Sequence, residues 1–431
     1  MNLKKYQSVI ISLAAGCLMT AAVSAKELPE ATVINAANLD QVMNDTFEGH
    51  KIGDLLTEKF QLWVRDYGLN MKLAKSQELE LAPSYLEATK KYTGQAKING
   101  NMIENYTAGI PFPNLDVNDP ECGIKAAYNH YHANPIIGNT WMAYGDVKIY
   151  DSKRGEIDNF GALSGKAIFD GVTIGEPKVG NPDDHAGYLL VLTRPYDISG
   201  IGVYNKQYNT GVKLDDGWVY LKALRRARRT AGGKSWMDPQ PKMDLLNDDN
   251  QGILGHPSWF SDWKCTGTQT VLAVINSSYS PNMEFDWDYA VDEKTAPHWN
   301  PKNVAWEPRD VIIVETTPPA EHPYSKKVMY MDKDYPFFYH GEIYDKKGDF
   351  WRLWRQNYAK IKTCDGEPVI GFNATQAIDF QNERATHIRV DLMLTNCVDH
   401  DQFEPGSLKK AAAGSLESDM RKIQEKSRAM K

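Results

Sequence analysis

Between Trp141 and Ile361 the chain strings together ten strand-like stretches with almost no helical pattern between them, and nothing else in the sequence narrows the possible folds as much. The stretches are Trp141 to Tyr150, Ala162 to Val172, Gly187 to Arg194, Ile198 to Gln207, Gly217 to Leu224, Thr268 to Ile275, Val311 to Thr316, Lys327 to Met331, Phe337 to Tyr344 and Phe350 to Ile361. Each is rich in β-branched and aromatic residues, and Gly, Pro, Asn and Asp clusters separate them. Strands that follow one another without crossover helices pair antiparallel, so one extended sheet is expected. A sheet of that width must curl, split or close.

Helical periodicity is confined to the N-terminal third. Leu56, Phe60, Trp63, Val64, Tyr67 and Met71 recur at steps of three and four, which predicts an amphipathic helix within 55–73. A second helix is predicted at Pro83 to Tyr92, with proline in its first turn, and a third at Asp119 to His130. Asn99-Gly100 marks a hairpin between Ala96 and Tyr106. The expected organisation is a signal over 1–25, a polar leader over 26–52, one β domain over 53–404, and a helical or frayed tail over 405–431. Long loops at 232–262 and 277–308 interrupt the domain, and loops of this length commonly act as lids or binding elements.

The first 25 residues read as an export signal: Lys4 and Lys5, an apolar run from Val9 to Met19, and small residues at Val23-Ser24-Ala25. Cleavage after Ala25 would deliver a soluble periplasmic protein. Ala14-Ala15-Gly16-Cys17 is a loose lipobox, but the chain stays apolar after Cys17, so lipidation is the less favoured outcome. Beyond Ala25 four cysteines remain, an even number in an oxidising compartment, and two disulfides are expected. The count leaves three pairings open, which sequence does not decide between; Cys364 and Cys397 are close in the chain, so Cys364–Cys397 is the first guess, with Cys122–Cys265 as the remainder. The 49 basic and 56 acidic residues give a formal charge of −7, which argues against nucleic acid as partner.

Residues 216–231 place an aromatic strand directly before Arg225, Arg226, Arg228 and Arg229. Apolar area beside guanidinium forks suits an amphiphile with an anionic head. Eleven Trp and 22 Tyr against 13 Phe favour amphipathic ring surfaces, the kind that line cavity mouths. Trp63, Trp141, Tyr220, Leu221, Leu224 and Trp351 are therefore the expected ligand contacts, and the four arginines the head-group or partner contacts. No nucleophile elbow, His-Glu-x-x-His, P-loop or dinucleotide fingerprint occurs, so neither catalysis nor a cofactor is expected. His130-Tyr131-His132 would present two imidazoles together only if extended; at a helix end they diverge, and no metal role is assigned. Asn247-Asp248-Asp249-Asn250 lacks calcium-loop spacing and reads as a self-capping turn. Acidic–aromatic clusters such as Glu284-Phe285-Asp286-Trp287-Asp288 resemble pieces of a sugar-cleaving cleft.

Tyr106-Thr107-Ala108-Gly109-Ile110-Pro111-Phe112-Pro113 resembles the Gly-x-Pro-Phe-Pro signature of the DUF1329 family. The segments Asp119 to Asn129, Trp218 to Arg229, Tyr324 to Asp332 and Tyr344 to Arg352 are similar to that family in the same order. The resemblance implies a relation to LolA/LolB-like lipoprotein-sorting proteins. Their fold is a curved antiparallel sheet forming an unclosed half-barrel, its concave face covered by helices over an apolar cavity. It also implies a non-enzymatic carrier of lipid, lipoprotein or another hydrophobic molecule, working with an RND-type exporter and an outer-membrane protein. Three departures stand out: Lys222 takes a place where relatives often have proline, the chain is about twice the size of a minimal sorting protein, and residues 277–308 look like added loops. The rival readings are a fixed accessory subunit without diffusible cargo and a secreted carbohydrate-active hydrolase.

Overall fold

A computed structural model describes residues 25–133, 138–173, 183–237, 242–277, 290–414 and 418–422. The export signal, Cys17 and the Glu284–Asp288 cluster lie outside the described residues. Fifteen strands form one sheet. In chain order they are β1 (Val33–Ile34), β2 (Met71–Leu73), β3 (Thr140–Asp151), β4 (Gly155–Ile168), β5 (Asp184–Arg194), β6 (Gly202–Tyr208), β7 (Asp216–Leu221), β8 (Arg226–Arg229), β9 (Ser261–Ala273), β10 (Ala305–Thr317), β11 (Lys326–Asp332), β12 (Phe338–Tyr344), β13 (Phe350–Lys362), β14 (Pro368–Asp379) and β15 (Arg384–Thr395). The main helices are α1 (Glu58–Tyr67), α2 (Pro83–Tyr92), α3 (Cys122–Tyr131) and α4 (Ser407–Ala412).

The expected architecture is present: a large antiparallel sheet, not closed into a barrel, with helices packed on it. It consists of two meanders. One runs β10 to β15, the other β3 to β8, and the last strand, β15, pairs with β3 along Arg384–Thr395 to join them. β9 lies beside β10, and the single parallel contact is β2 on the first residues of β10. Sequence patterning stopped at Ile361 and missed β14 and β15. Their residues, such as Asn373, Thr375, Gln376, Thr386 and His387, are buried but polar, so apolar periodicity is weak there.

Helix ends follow local chemistry. Thr57 accepts a hydrogen bond from Phe60 N at 3.4 Å at the start of α1, and Gly68 ends that helix in the left-handed conformation at φ 66°. α1 is thus shorter than the apolar period implied, and Met71 belongs to β2 instead. α2 matches its predicted bounds. The predicted hairpin is present as paired segments Lys97–Asn99 and Met102–Glu104.

Side chains alternate along strands, and the sheet buries both faces. On β13, Leu353 enters the core that holds Phe60 and Trp63 of α1, while Trp354 enters the core that holds Ile124 and Tyr128 of α3. On β3, Trp141 joins Tyr85 of α2, while Met142 joins Leu408 of α4. Residues 26–52, expected as a polar leader, are folded in: Leu28, Ile34, Leu39, Phe47 and Ile52 are buried against α1. Their apolar residues are too widely spaced to form a visible run, yet each turn delivers one to the core. Both expected disulfides are present. Cys122–Cys265 ties α3 to β9, and Cys364–Cys397 ties the β13–β14 turn to the end of β15. No described helix is long and apolar enough to cross a membrane.

Candidate functional site

The arginine segment lies on the edge of the sheet. β7 pairs with β8, setting Trp218 opposite Arg229, Val219 opposite Arg228, Tyr220 opposite Ala227 and Leu221 opposite Arg226. A short 3-10 turn, Lys222–Leu224, links the strands and ends at Arg225, whose φ is 51°. That left-handed conformation costs a non-glycine residue about 1–2 kcal/mol. All four arginines are exposed. Arg229 donates to Asp216 and lies 5.8 Å from the Trp218 ring. Among the described residues Arg225, Arg226 and Arg228 have no ion pair. Beside them Leu221, Leu224 and Tyr196 are exposed, Tyr196 by 89%, with Lys222 Nζ 5.5 Å from its ring. Three unpaired guanidinium groups therefore border a small apolar patch.

The remaining expected contacts are dispersed. Tyr220 is buried in the core with α4, and Trp141 in the core with α2. Trp63 is fully buried, its indole N–H donating to Asn300 Oδ1 at 2.8 Å. Trp351 is half-buried beside the α3 core, donates to Asp379 Oδ2 at 2.8 Å and stacks under the Arg352 guanidinium at 4.0 Å. So the structure brings Leu221, Leu224 and the arginines together and leaves Trp63, Trp141, Tyr220 and Trp351 in separate places.

Under α1 the expected oily hollow is filled. Phe60, Trp63, Trp299 and Trp306 pack there with almost no exposure. An open cavity of about 550 Å³ lies instead at the N-terminal end of α1, lined by Leu56, Tyr330 and Tyr344 but also by Asp54, Glu58 and Glu342. Burial raises the Glu342 carboxyl above its usual range, against the pull of hydrogen bonds from Tyr344 at 2.9 Å and Tyr330 at 3.2 Å. Lys59 lines the same space, 3.8 Å from Glu58, so the lining is polar and mixed in charge and suits a polar group better than an acyl chain.

The described part of the 232–262 segment is packed into the protein. Trp236, Ile253 and Phe260 join the α3 core. Asn247-Asp248-Asp249-Asn250 caps itself, with Asn250 Nδ2 donating to the Asn247 carbonyl at 3.0 Å. Its carboxylates hold an internal cation: Lys327 Nζ is 3.0 Å from Asp248 and 2.9 Å from Asp249, all three fully buried. Burial pushes the Lys327 ammonium down, but the two carboxylates outweigh it and hold it above its ordinary range. The lysine supplies the charge that a calcium ion would bring.

A second polar cluster escaped the sequence reading. α3 ends at Tyr131, and His130 and His132 diverge as a helix end requires. His130 faces the Pro336 carbonyl at 3.2 Å. His132 turns toward Asp170 and His185, whose coordinating atoms and its own all lie within 4.8 Å of one another. The pairing of β4 with β5 makes this possible: Ile168 pairs with Ala186, and Phe169 N donates to the His185 carbonyl, which leaves Asp170, one residue further on, within side-chain reach of His185 Nδ1 at 2.7 Å. No spacing rule connects residues 132, 170 and 185 before the strand register is known.

The described sheet is thus antiparallel, unclosed and backed by helices, and its β7–β8 edge is both cationic and apolar. The chain belongs to the DUF1329 family: the profile of that family, described as a protein of unknown function, matches residues 33–409. Among solved structures it is similar to a domain presumed to sort outer-membrane lipoproteins, from Vibrio parahaemolyticus, at 15% identity and TM-score 0.44, covering 68% of this chain and 100% of that one. A DUF1329 family protein from Desulfovibrio piger is similar at 19% identity and TM-score 0.43, covering 66% and 99%. A LolA superfamily protein from Nitrosomonas europaea is similar at 11% identity and TM-score 0.37, covering 63% and 97%. No functionally curated protein matches the chain.

Proposed function

We propose that this protein is a non-enzymatic periplasmic carrier or docking chaperone for a lipid, lipoprotein or other hydrophobic molecule, working beside an RND-type exporter and an outer-membrane protein. The observation that carries the reading is the β7–β8 edge, where Arg225, Arg226 and Arg228 stand free next to exposed Leu221, Leu224 and Tyr196. Guanidinium groups bind phosphate or carboxylate heads in bidentate fashion. An acyl chain laid on neighbouring apolar surface gains about 0.8 kcal/mol per methylene removed from water. The arginine at positive φ supports the same reading, since a local conformational cost kept at an exposed position is a mark of functional sites. Edge strands also carry charge merely to deter aggregation, but that role has no use for leucine and tyrosine left exposed alongside.

The test is gentle extraction and native mass spectrometry of protein purified from periplasm. A bound amphiphile is expected, together with weakened uptake of an anionic lipid by an Arg225→Glu/Arg226→Glu variant that is still exported. A bare protein mass combined with unchanged uptake by that variant would overturn the proposal. The filled space beneath α1 favours one alternative, a fixed accessory subunit with no diffusible cargo. A bare mass with stable co-purification of an exporter would select it.

A further inference from the structure

Two buried imidazoles in the cluster behind α3 each have a nitrogen with no hydrogen-bond partner among the described residues. His132 is 4% exposed and His185 1%, and the Nε2 atom of each lacks a hydrogen bond. Leaving such a group unpaired in the interior costs about 1–3 kcal/mol, so two in one place call for an occupant. Both rings are also held in orientation. The Tyr106 ring stacks on His132 at 3.8 Å, and the Tyr131 ring stacks on His185 at 4.0 Å. His185 Nδ1 lies 2.7 Å from Asp170 Oδ1, so these two atoms stand side by side in the cluster and can meet one ion from the same side. The two imidazole rings are 5.5 Å apart, close to the separation of two histidines sharing one ion.

We propose that His132, His185 and Asp170 bind one divalent transition-metal cation of the zinc class. Two nitrogen donors and one carboxylate suit zinc, cobalt or nickel rather than the oxygen-loving calcium or magnesium. Three protein ligands leave a further position for water or an incoming group. His256, nearby, takes no part: its ring nitrogens are engaged with Ser258 Oγ at 2.8 Å and the Asn209 carbonyl at 3.2 Å. Lys166 is buried beside the cluster and is attracted by both Asp170 and Asp215.

The experiment uses untagged, exported protein, stripped with a chelator and titrated with Zn²⁺ against a chromogenic competitor and with Co²⁺ by visible absorption. One equivalent of each is expected, with the d–d bands of a nitrogen- and oxygen-bound cobalt ion and a raised melting temperature. His132→Gln and His185→Gln should each weaken zinc binding 10–100-fold while far-ultraviolet circular dichroism stays unchanged. X-ray absorption on zinc-loaded wild type needs no variant and should count two imidazoles around the ion. A wild type that binds no zinc at micromolar concentration, a double variant that binds as tightly as wild type, or a zinc shell with fewer than two imidazoles would each overturn the site.

Discussion

At the scale of single residues, conformational cost and burial mark where the chain departs from what stability alone would select. Arg225 holds a left-handed backbone that glycine adopts freely. Arg225→Gly should raise stability by about 0.5–1 kcal/mol and at the same time weaken binding to vesicles containing anionic lipid. Chemical denaturation and vesicle co-sedimentation measure the two effects; a variant that gains stability with undiminished binding would remove Arg225 from the edge site. His340 makes a second residue-level case. Its ring is stacked on Tyr330 at 4.1 Å and meets Phe60 edge-on at 4.8 Å, and burial lowers its pKa to about 3. The unfolded chain protonates this histidine below about pH 6.5, while the folded protein does so only near pH 3. The neutral ring therefore contributes stability that is complete above pH 6.5 and lost as pH falls toward 3. His340→Phe keeps the aromatic stack and removes the titration. Its stability relative to wild type should improve by about 1.4 kcal/mol for each unit of pH between 6 and 4. Urea midpoints at pH 7, 5.5 and 4.5 check this; a constant difference across the three would mean that the ring stays charged or exposed.

At the scale of elements, the junction between the two meanders rests on one glycine. A Cβ on Gly145 of β3 would lie 2.0 Å from the Arg389 carbonyl oxygen of β15. The register of that pair shifts between Val390 and Leu392, so Gly145 sits beside a bulge. Gly145→Val forces the strands apart where, among the described residues, no other strand pairing connects β3–β8 to β10–β15. A loss of at least about 2–3 kcal/mol is expected, with faster amide exchange on both strands; wild-type exchange there would show that the junction tolerates a side chain. The sequence could not announce this, because a glycine within a strand reads as a weak point until its partner is known. Other elements were legible. The ten strand stretches, α2, the Asn-Gly hairpin and the number of disulfides follow from local periodicity, turn chemistry and cysteine count, whereas the disulfide pairing does not. What stayed hidden depends on register: the polar strands β14 and β15, the burial of residues 26–52, and the meeting of His132 with Asp170 and His185. The arginine edge lies between these cases. Its residues were plain in the sequence, but only the pairing of β7 with β8 shows that Tyr220 faces inward while Leu221 remains exposed.

At the scale of the whole molecule, the proposed carrier role poses a choice: an amphiphile would either enter by lifting α1 or settle on the outside of the sheet. Lifting α1 uncovers Phe60, Trp63, Trp299 and Trp306, all at 2% exposure or less. Each such ring buries roughly 150–250 Å², and at about 25 cal/mol per Å² the four together cost on the order of 15–25 kcal/mol, an upper figure. Twelve methylenes of an acyl chain return only about 10 kcal/mol. A typical domain has just 5–15 kcal/mol of total stability to draw on. Wholesale opening therefore loses, and an amphiphile is better placed on the β7–β8 edge, where apolar and cationic groups are exposed without rearrangement. Cysteines placed at Lys59 on α1 and Phe350 on β13, whose side chains meet at 5.0 Å, allow a bis-maleimide to fasten the helix to the sheet. The fastened protein should bind a fluorescent anionic lipid as tightly as the unfastened one, while Leu224→Asp should lose most of that binding with α1 free. Binding abolished by the link and restored by cutting it would show that α1 does swing away, and that the cost set by those four rings is met by contacts formed only in the open form.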